Sequence, residues 1–166
     1  MRILKRVMLL MLMLVCCSTL TSCKYIEGTS SIAIRVGMDA SDKFSEAVST
    51  VPVGEKSSVT IITNLQSNKQ KKVICKIVVT MEKSDIIDYE KDYSTGCIEN
   101  SINISDDKKT IEYQAEVNKN TQTIPVKLQF NFTAAETGSS TITVKVYDHN
   151  GDLVYSACAE KVLKFE

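Results

Sequence analysis

The chain predicts an all-β protein, an antiparallel β-sandwich of about seven strands. Three observations predict it. Apolar and polar residues alternate through most of the sequence after residue 31, the period-two pattern of strands that bury one face. Short polar turns separate the alternating runs, with no internal repeat and no Pro- or Gly-rich linker. No long segment keeps a helical period. Sheets with one dry and one wet face stack in pairs to hide the dry faces.

The first strand places Ile32, Ile34, Val36 and Met38 on one face. Residues 42–48 suit a short turn of helix. Val53-Gly54-Glu55-Lys56 has turn composition and introduces a second strand, with Val59, Ile61, Thr63 and Leu65 on one side. Val73, Cys75, Ile77, Val79 and Met81 form the inward face of a third, opposite Ile74, Lys76, Val78 and Thr80. Ile111, Tyr113, Ala115 and Val117 continue the pattern. Val126, Leu128, Phe130 and Phe132 alternate with Lys127, Gln129 and Asn131, the cleanest strand in the chain. Ile142, Val144 and Val146 alternate with Thr141, Thr143 and Lys145, and the last strand starts at Leu153.

Asn150-Gly151 lies between the last two strands and signals a tight hairpin, because a type I′ turn needs positive φ at both central residues. With those two as turn centres, Val146 faces Tyr155, Val144 faces Ala157 and Ile142 faces Ala159. Leu153, Tyr155, Ala157 and Ala159 then point inward. Cys158 pairs with Thr143 and points outward. That facing sorts the cysteines. Cys75 lies on an inward face and is expected as a buried thiol acting as a small hydrophobe. The three cysteines beyond Cys23 allow at most one internal disulfide. The pair that the facing allows is Cys97 with Cys158, because Cys75 and Cys158 point to opposite sides of a sheet.

The N-terminus carries a different signal. Arg2, Lys5 and Arg6 precede and flank the start of an apolar run from Val7 to Cys17, followed by Leu20-Thr21-Ser22-Cys23. Basic start, apolar run and small residues in that order form an export signal. The last four residues resemble the lipobox of bacterial lipoproteins, in which the Cys accepts diacylglycerol and the chain is cleaved before it. The resemblance implies a lipid on Cys23, a leader over residues 1–22, a polar tether over 23–31 and a β-sandwich domain over 32–166. It implies a bacterial cell membrane or outer membrane location, with the domain outside the cytoplasm. Each buried methylene contributes about 0.8 kcal/mol, so two or three acyl chains anchor permanently where one holds only marginally. The apolar run from Val7 to Val15 is shorter than the roughly 20 residues that span a bilayer, and no later segment approaches that length.

The remainder is similar in rhythm to bacterial immunoglobulin-like modules. Val53-Gly54-Glu55 before one strand, Gly138-Ser139-Ser140 before another, and the close on Asp148 and Asn150-Gly151 carry the likeness. It implies a fold and leaves the activity open.

Composition narrows the function. Without the leader, 17 Lys and Arg face 20 Asp and Glu, so nucleic acid is not an expected partner. Trp is absent, which argues against a carbohydrate-stacking platform. His149 is the only His, so most hydrolase schemes lack a base and a Cys–His zinc site is poor. Asp148, Asn150 and Asp152 match the first ligand positions of a calcium loop, but Leu153 and Ala159 stand where Gly and Glu are needed. No metal and no cofactor is expected. Lys69-Gln70-Lys71-Lys72 reads as a solvated hairpin tip. Residues 82–107 are the least regular stretch, with eight acids and two lysines. Asp85, Asp88, Tyr89, Glu90 and Tyr93 are the candidate binding residues there, on either a long loop or an edge strand with solvated acids. The expected protein is a non-catalytic, lipid-anchored envelope module that binds a protein partner at the envelope or cell surface. The rival is an envelope enzyme or thiol-active protein that uses Cys97 or Cys158.

Overall fold

A computed structural model describes residues 31–37, 48–65, 72–117, 125–154 and 157–166. The leader, Cys23, Met38, the helical turn expected through residue 47, Lys69 to Lys71 and Tyr155 lie outside these residues. Among the described residues the chain forms ten strands and one short 3-10 turn. The strands are β1 (Ser31–Val36), β2 (Val48–Val51), β3 (Ser57–Asn64), β4 (Val73–Met81) and β5 (Ser84–Tyr89), then β6 (Asn103–Ile104), β7 (Thr110–Val117), β8 (Val126–Ala134), β9 (Gly138–Tyr147) and β10 (Ala159–Phe165). The 3-10 turn is Lys91–Tyr93. Val48, expected to end a helical turn, instead opens β2.

The strands form two sheets, ordered β1-β3-β8-β5 and β2-β10-β9-β4-β7-β6. The excess over seven strands has a physical cause. β2, β5 and β6 are short or lie at sheet edges, where few positions are buried and the alternation fades. In β5 a bulge between Ile86 and Asp88 also breaks the period. The sandwich is antiparallel except for β2, which runs parallel to β10.

The inward faces are those that alternation predicts. On β4, Cys75, Ile77, Val79 and Met81 are fully buried, as are Ile111, Tyr113 and Ala115 on β7. Leu128, Phe130 and Phe132 meet them from β8, with Val59 and Ile61 of β3. Each large apolar side chain so buried contributes roughly 1.5–3 kcal/mol.

The final hairpin departs from expectation. Only Gly151 of the two turn residues takes a positive φ, 86°. The Gly151 N–H donates to the Asp148 carbonyl at 3.0 Å, and the Asp148 N–H to the Asp152 carbonyl at 2.9 Å. The loop is therefore residues 149–151, a wider turn closed by a left-handed glycine. The buried Asp148 carboxylate selects it by accepting the N–H groups of Asn150 and Asp152, at 2.8 and 3.0 Å. Leu153 bridges Tyr147 and is turned from the core, while Val154 is buried. The β9–β10 ladder runs from Ala159, opposite Val144, to Phe165, opposite Gly138. The last strand therefore starts at Ala159, not Leu153. Lys161 faces Ile142, where Ala159 was expected, and Glu160 faces Thr143, where Cys158 was expected. The slip at Ala159 is two residues, which preserves facing, and Cys158 is exposed.

Candidate functional site

The least regular stretch of the sequence is where the chain changes sheets. β5 is an edge strand, and Tyr89 registers with the core residue Phe130. The 3-10 turn follows, closed by the Tyr93 N–H on the Glu90 carbonyl and the Ser94 N–H on the Lys91 carbonyl, each 3.2 Å. The Ser94 hydroxyl donates to the Glu90 carbonyl at 2.8 Å and accepts the Gln129 N–H at 3.1 Å. Thr95 exchanges two 2.8 Å backbone bonds with Lys127 of β8. Cys97, two residues later, bridges Ala115 of β7 in the other sheet.

Gly96 makes the crossing possible. It holds φ at 76°, and a β-carbon there would stand 3.3 Å from the Val126 Cα. Beyond it the Ile98 N–H donates to the Gln114 carbonyl at 2.9 Å. The Ser101 hydroxyl donates to the Ile98 carbonyl at 2.7 Å and accepts the Gln114 N–H at 2.9 Å. The crossing leaves an open pocket of about 230 Å³ lined by Tyr89, Ser94, Cys97, Ile98, Asn100 and Ile102. The exposed Lys91 and Glu99 complete the lining, 4.0 Å apart.

The predicted residues divide among four places. Tyr89 lines the pocket. Asp88 and Glu90 share one cluster, because the buried Asn131 amide donates to both carboxylates, at 2.6 Å to Asp88. Lys56 stands 3.5 Å from Asp88 and 3.9 Å from Glu90. Asp85 is apart, paired with Lys109 at 2.6 Å. Tyr93 projects from the 3-10 turn and is 58 % exposed. Lys56 and Asn131 escaped sequence reasoning because they lie far from the acids in the chain. Asn131 reads as one more polar residue on an alternating strand, and only the register beside Asp88 gives it a role. Ser94, Cys97 and Ile98 carry no motif.

Cys75, Cys97 and Cys158 all have free thiols. The expected Cys97–Cys158 disulfide is thus not formed, and the topology explains why. Cys97 lies beyond β7 on the side of β6, and Cys158 directly precedes β10. Four strand spacings, roughly 19 Å, separate those positions, against a Cα separation below about 7 Å for a disulfide. The Cys97 thiol, partly buried, lies 3.7 Å from the Lys127 carbonyl. Burial pushes its pKa up to about 11 and that of Cys75 up to about 12. Thiolate is therefore scarce at both near neutral pH, which argues against a Cys97 nucleophile. His149 sits on the hairpin loop with its Nδ1 4.0 Å from Asp148. Among the described residues no cluster of His, Cys, Asp and Glu could hold a metal ion. No described helix is long and apolar enough to cross a membrane.

No protein-family model and no curated protein matches the chain. Solved structures do match. The C-terminal domain of the Streptococcus agalactiae AgI/II polypeptide BspA aligns with TM-score 0.51 and 11 % identity, over 80 % of this chain and 49 % of that one. The CARDB domain of the Pyrococcus furiosus protein PF1109 aligns with TM-score 0.50 and 11 % identity, over 86 % and 90 %. A cohesin module from a Clostridium perfringens family 33 glycoside hydrolase aligns with TM-score 0.49 and 11 % identity, over 82 % and 96 %. At this identity the likeness concerns the fold alone. The protein is similar to these modules as an immunoglobulin-like β-sandwich.

Proposed function

We infer that the protein is a non-catalytic binding module of the bacterial cell envelope, tethered by lipid on Cys23 and engaging a protein partner through β5, the 3-10 turn and the adjoining pocket. Residues 1–22 are the leader in this reading, 23–31 the tether and 32–166 the working domain. One observation carries the choice of face. Of five exposed large apolar side chains among the described residues, Ile87, Tyr89 and Tyr93 all lie on β5 or the 3-10 turn. Amphipathic aromatics beside a pocket are the usual anchors of protein interfaces. Acids surround them, with Asp85, Asp88, Glu90, Asp92 and Glu99 close in sequence. The matching partner surface is basic, with an apolar side chain to enter the pocket.

The mechanism is tethering. Acyl chains hold the domain at the membrane, so its binding face meets an envelope partner at raised local concentration. Metabolic labelling with palmitate tests the anchor: label on the wild-type chain and none on Cys23→Ser is expected. Label retained on Cys23→Ser overturns it. Crosslinked pull-down from native membranes tests the face. A partner recovered with wild type and lost with Tyr89→Ala/Tyr93→Ala is expected. Equal recovery with that variant excludes this face.

A further inference from the structure

Among the described residues the two sheets have four edges, and three are guarded. On β5 the Ser84 carbonyl accepts the Lys109 ammonium at 3.2 Å, and the Ile86 N–H donates to the Lys108 carbonyl at 2.8 Å. A bulge bends the rest of that strand. β6 has two residues. β2 has four and is followed directly by Pro52. Short strands, bulges, proline and covering loops are how proteins blunt sheet edges. β1 has six residues with no proline and no bulge, and Arg35 is its one charge.

The ladder shows which groups β1 leaves open. The Gly37 N–H donates to the Ser58 carbonyl at 3.0 Å, so Gly37 and Ser58 form a hydrogen-bonded pair. Antiparallel pairs alternate, so Ser31, Ala33 and Arg35 spend their backbone groups on β3. Ile32, Ile34 and Val36 point their N–H and C=O groups away from it, with no backbone partner among the described residues.

We propose that this edge pairs with β1 of a second copy of the chain, antiparallel about a two-fold axis at Ile34. The register is self-complementary, as such an axis requires. Ile34 meets Ile34, and Ile32 meets Val36, so every open N–H finds an open C=O across the axis. Any register displaced by one residue would oppose an open position to one already bonded to β3. The side chains agree with this choice. Ile32, Ile34 and Val36 all face the core side, where Ile32 and Val36 are only partly buried, and the pairing adds apolar cover. On the outer face Ala33 of one copy stands opposite Arg35 of the other, so no like charges are directly paired.

That last juxtaposition gives a test specific to the register. Sedimentation velocity of the full chain, in detergent with micelles in excess, measures the dimer dissociation constant. Ala33 lies on the outer face opposite Ile62, partly exposed, so changes there leave the core untouched. Cross-strand charge pairs occur twice by symmetry, so Ala33→Lys weakens and Ala33→Glu strengthens the dimer by about three- to tenfold each. A wild-type chain monomeric throughout, or two variants that shift in the same direction, overturns the proposal. Hydrogen exchange at Ile32, Ile34 and Val36 supplies an independent reading without substitution. Protection that rises with protein concentration is expected. Protection independent of concentration would mean that the chain covers this edge itself, and the proposal fails.

Discussion

Tyr113 is fully buried, and its hydroxyl has no hydrogen-bond partner among the described residues. The nearby hydroxyl of the buried Thr63 donates to the Val126 carbonyl at 3.2 Å, and its oxygen is the one group among the described residues placed to accept from Tyr113. An orphaned buried polar group costs about 1–3 kcal/mol. Tyr113→Phe removes that group and keeps the ring, so stability in urea unfolding should hold or rise by about 1 kcal/mol. A clear loss would reveal a hydrogen bond to the Tyr113 hydroxyl. Beside it, Cys75 matches its sequence reading as a buried small hydrophobe, since alternation alone places it inward. Cys97 does not follow from alternation, because its position depends on a crossing between sheets that no local pattern records.

At the scale of elements, the stretch from β5 to β6 decides where a ligand could sit. Its geometry turns on Gly96, whose positive φ and close approach to Val126 strain any side chain placed there. Gly96→Ala should destabilise the fold by about 1–3 kcal/mol and shift amide signals of Thr95, Cys97 and Ile98 in NMR spectra. Wild-type stability and unchanged signals would show that the crossing has slack. The turn at 105–109 is a second device of this kind. Ser105 donates to the Asp107 carboxylate at 2.5 Å, and the Lys109 N–H donates to it at 3.0 Å. Those bonds, the Ser105 hydroxyl first, hold the Asp107 carboxyl below its ordinary range. The same turn presents Lys108 and Lys109 to the β5 edge.

For the whole molecule, buried thiols link stability to alkaline pH. Burial raises the Cys75 pKa from an ordinary value near 9 to about 12, so the folded state holds its proton more tightly than the unfolded chain. The stabilisation is complete below pH 9 and is lost as pH climbs through the folded value. Between pH 9 and 10.5 this thiol alone should remove about 2 kcal/mol of unfolding free energy. Burial of Tyr113 raises its pKa as well, which deepens the fall above pH 10. Urea unfolding across this range checks the slope, which should be shallower in Cys75→Ala than in wild type. An identical slope in both would mean that Cys75 does not contribute. The proposed anchor and the proposed β1 pairing also belong to this scale, because each sets how copies of a rigid sandwich are presented at an envelope.

The sequence by itself determined the fold class and the inward faces of its long strands. Burying one side of a strand imposes a period of two, and that period is written residue by residue from Val73 to Met81 and from Val126 to Phe132. It also marked Asp85, Asp88, Tyr89, Glu90 and Tyr93 as an unusual stretch. Only the tertiary structure decided what stands beside them. Asn131 reaches Asp88 and Glu90 through strand pairing between residues 43 and 41 positions apart, a separation at which no local pattern constrains the partner. It likewise decided the last register, where the buried Asp148 carboxylate overrode the turn that Asn150-Gly151 favours. It placed Cys97 and Cys158 about four strands apart, because strand order depends on how the sheets close and not on the alternation within any one strand.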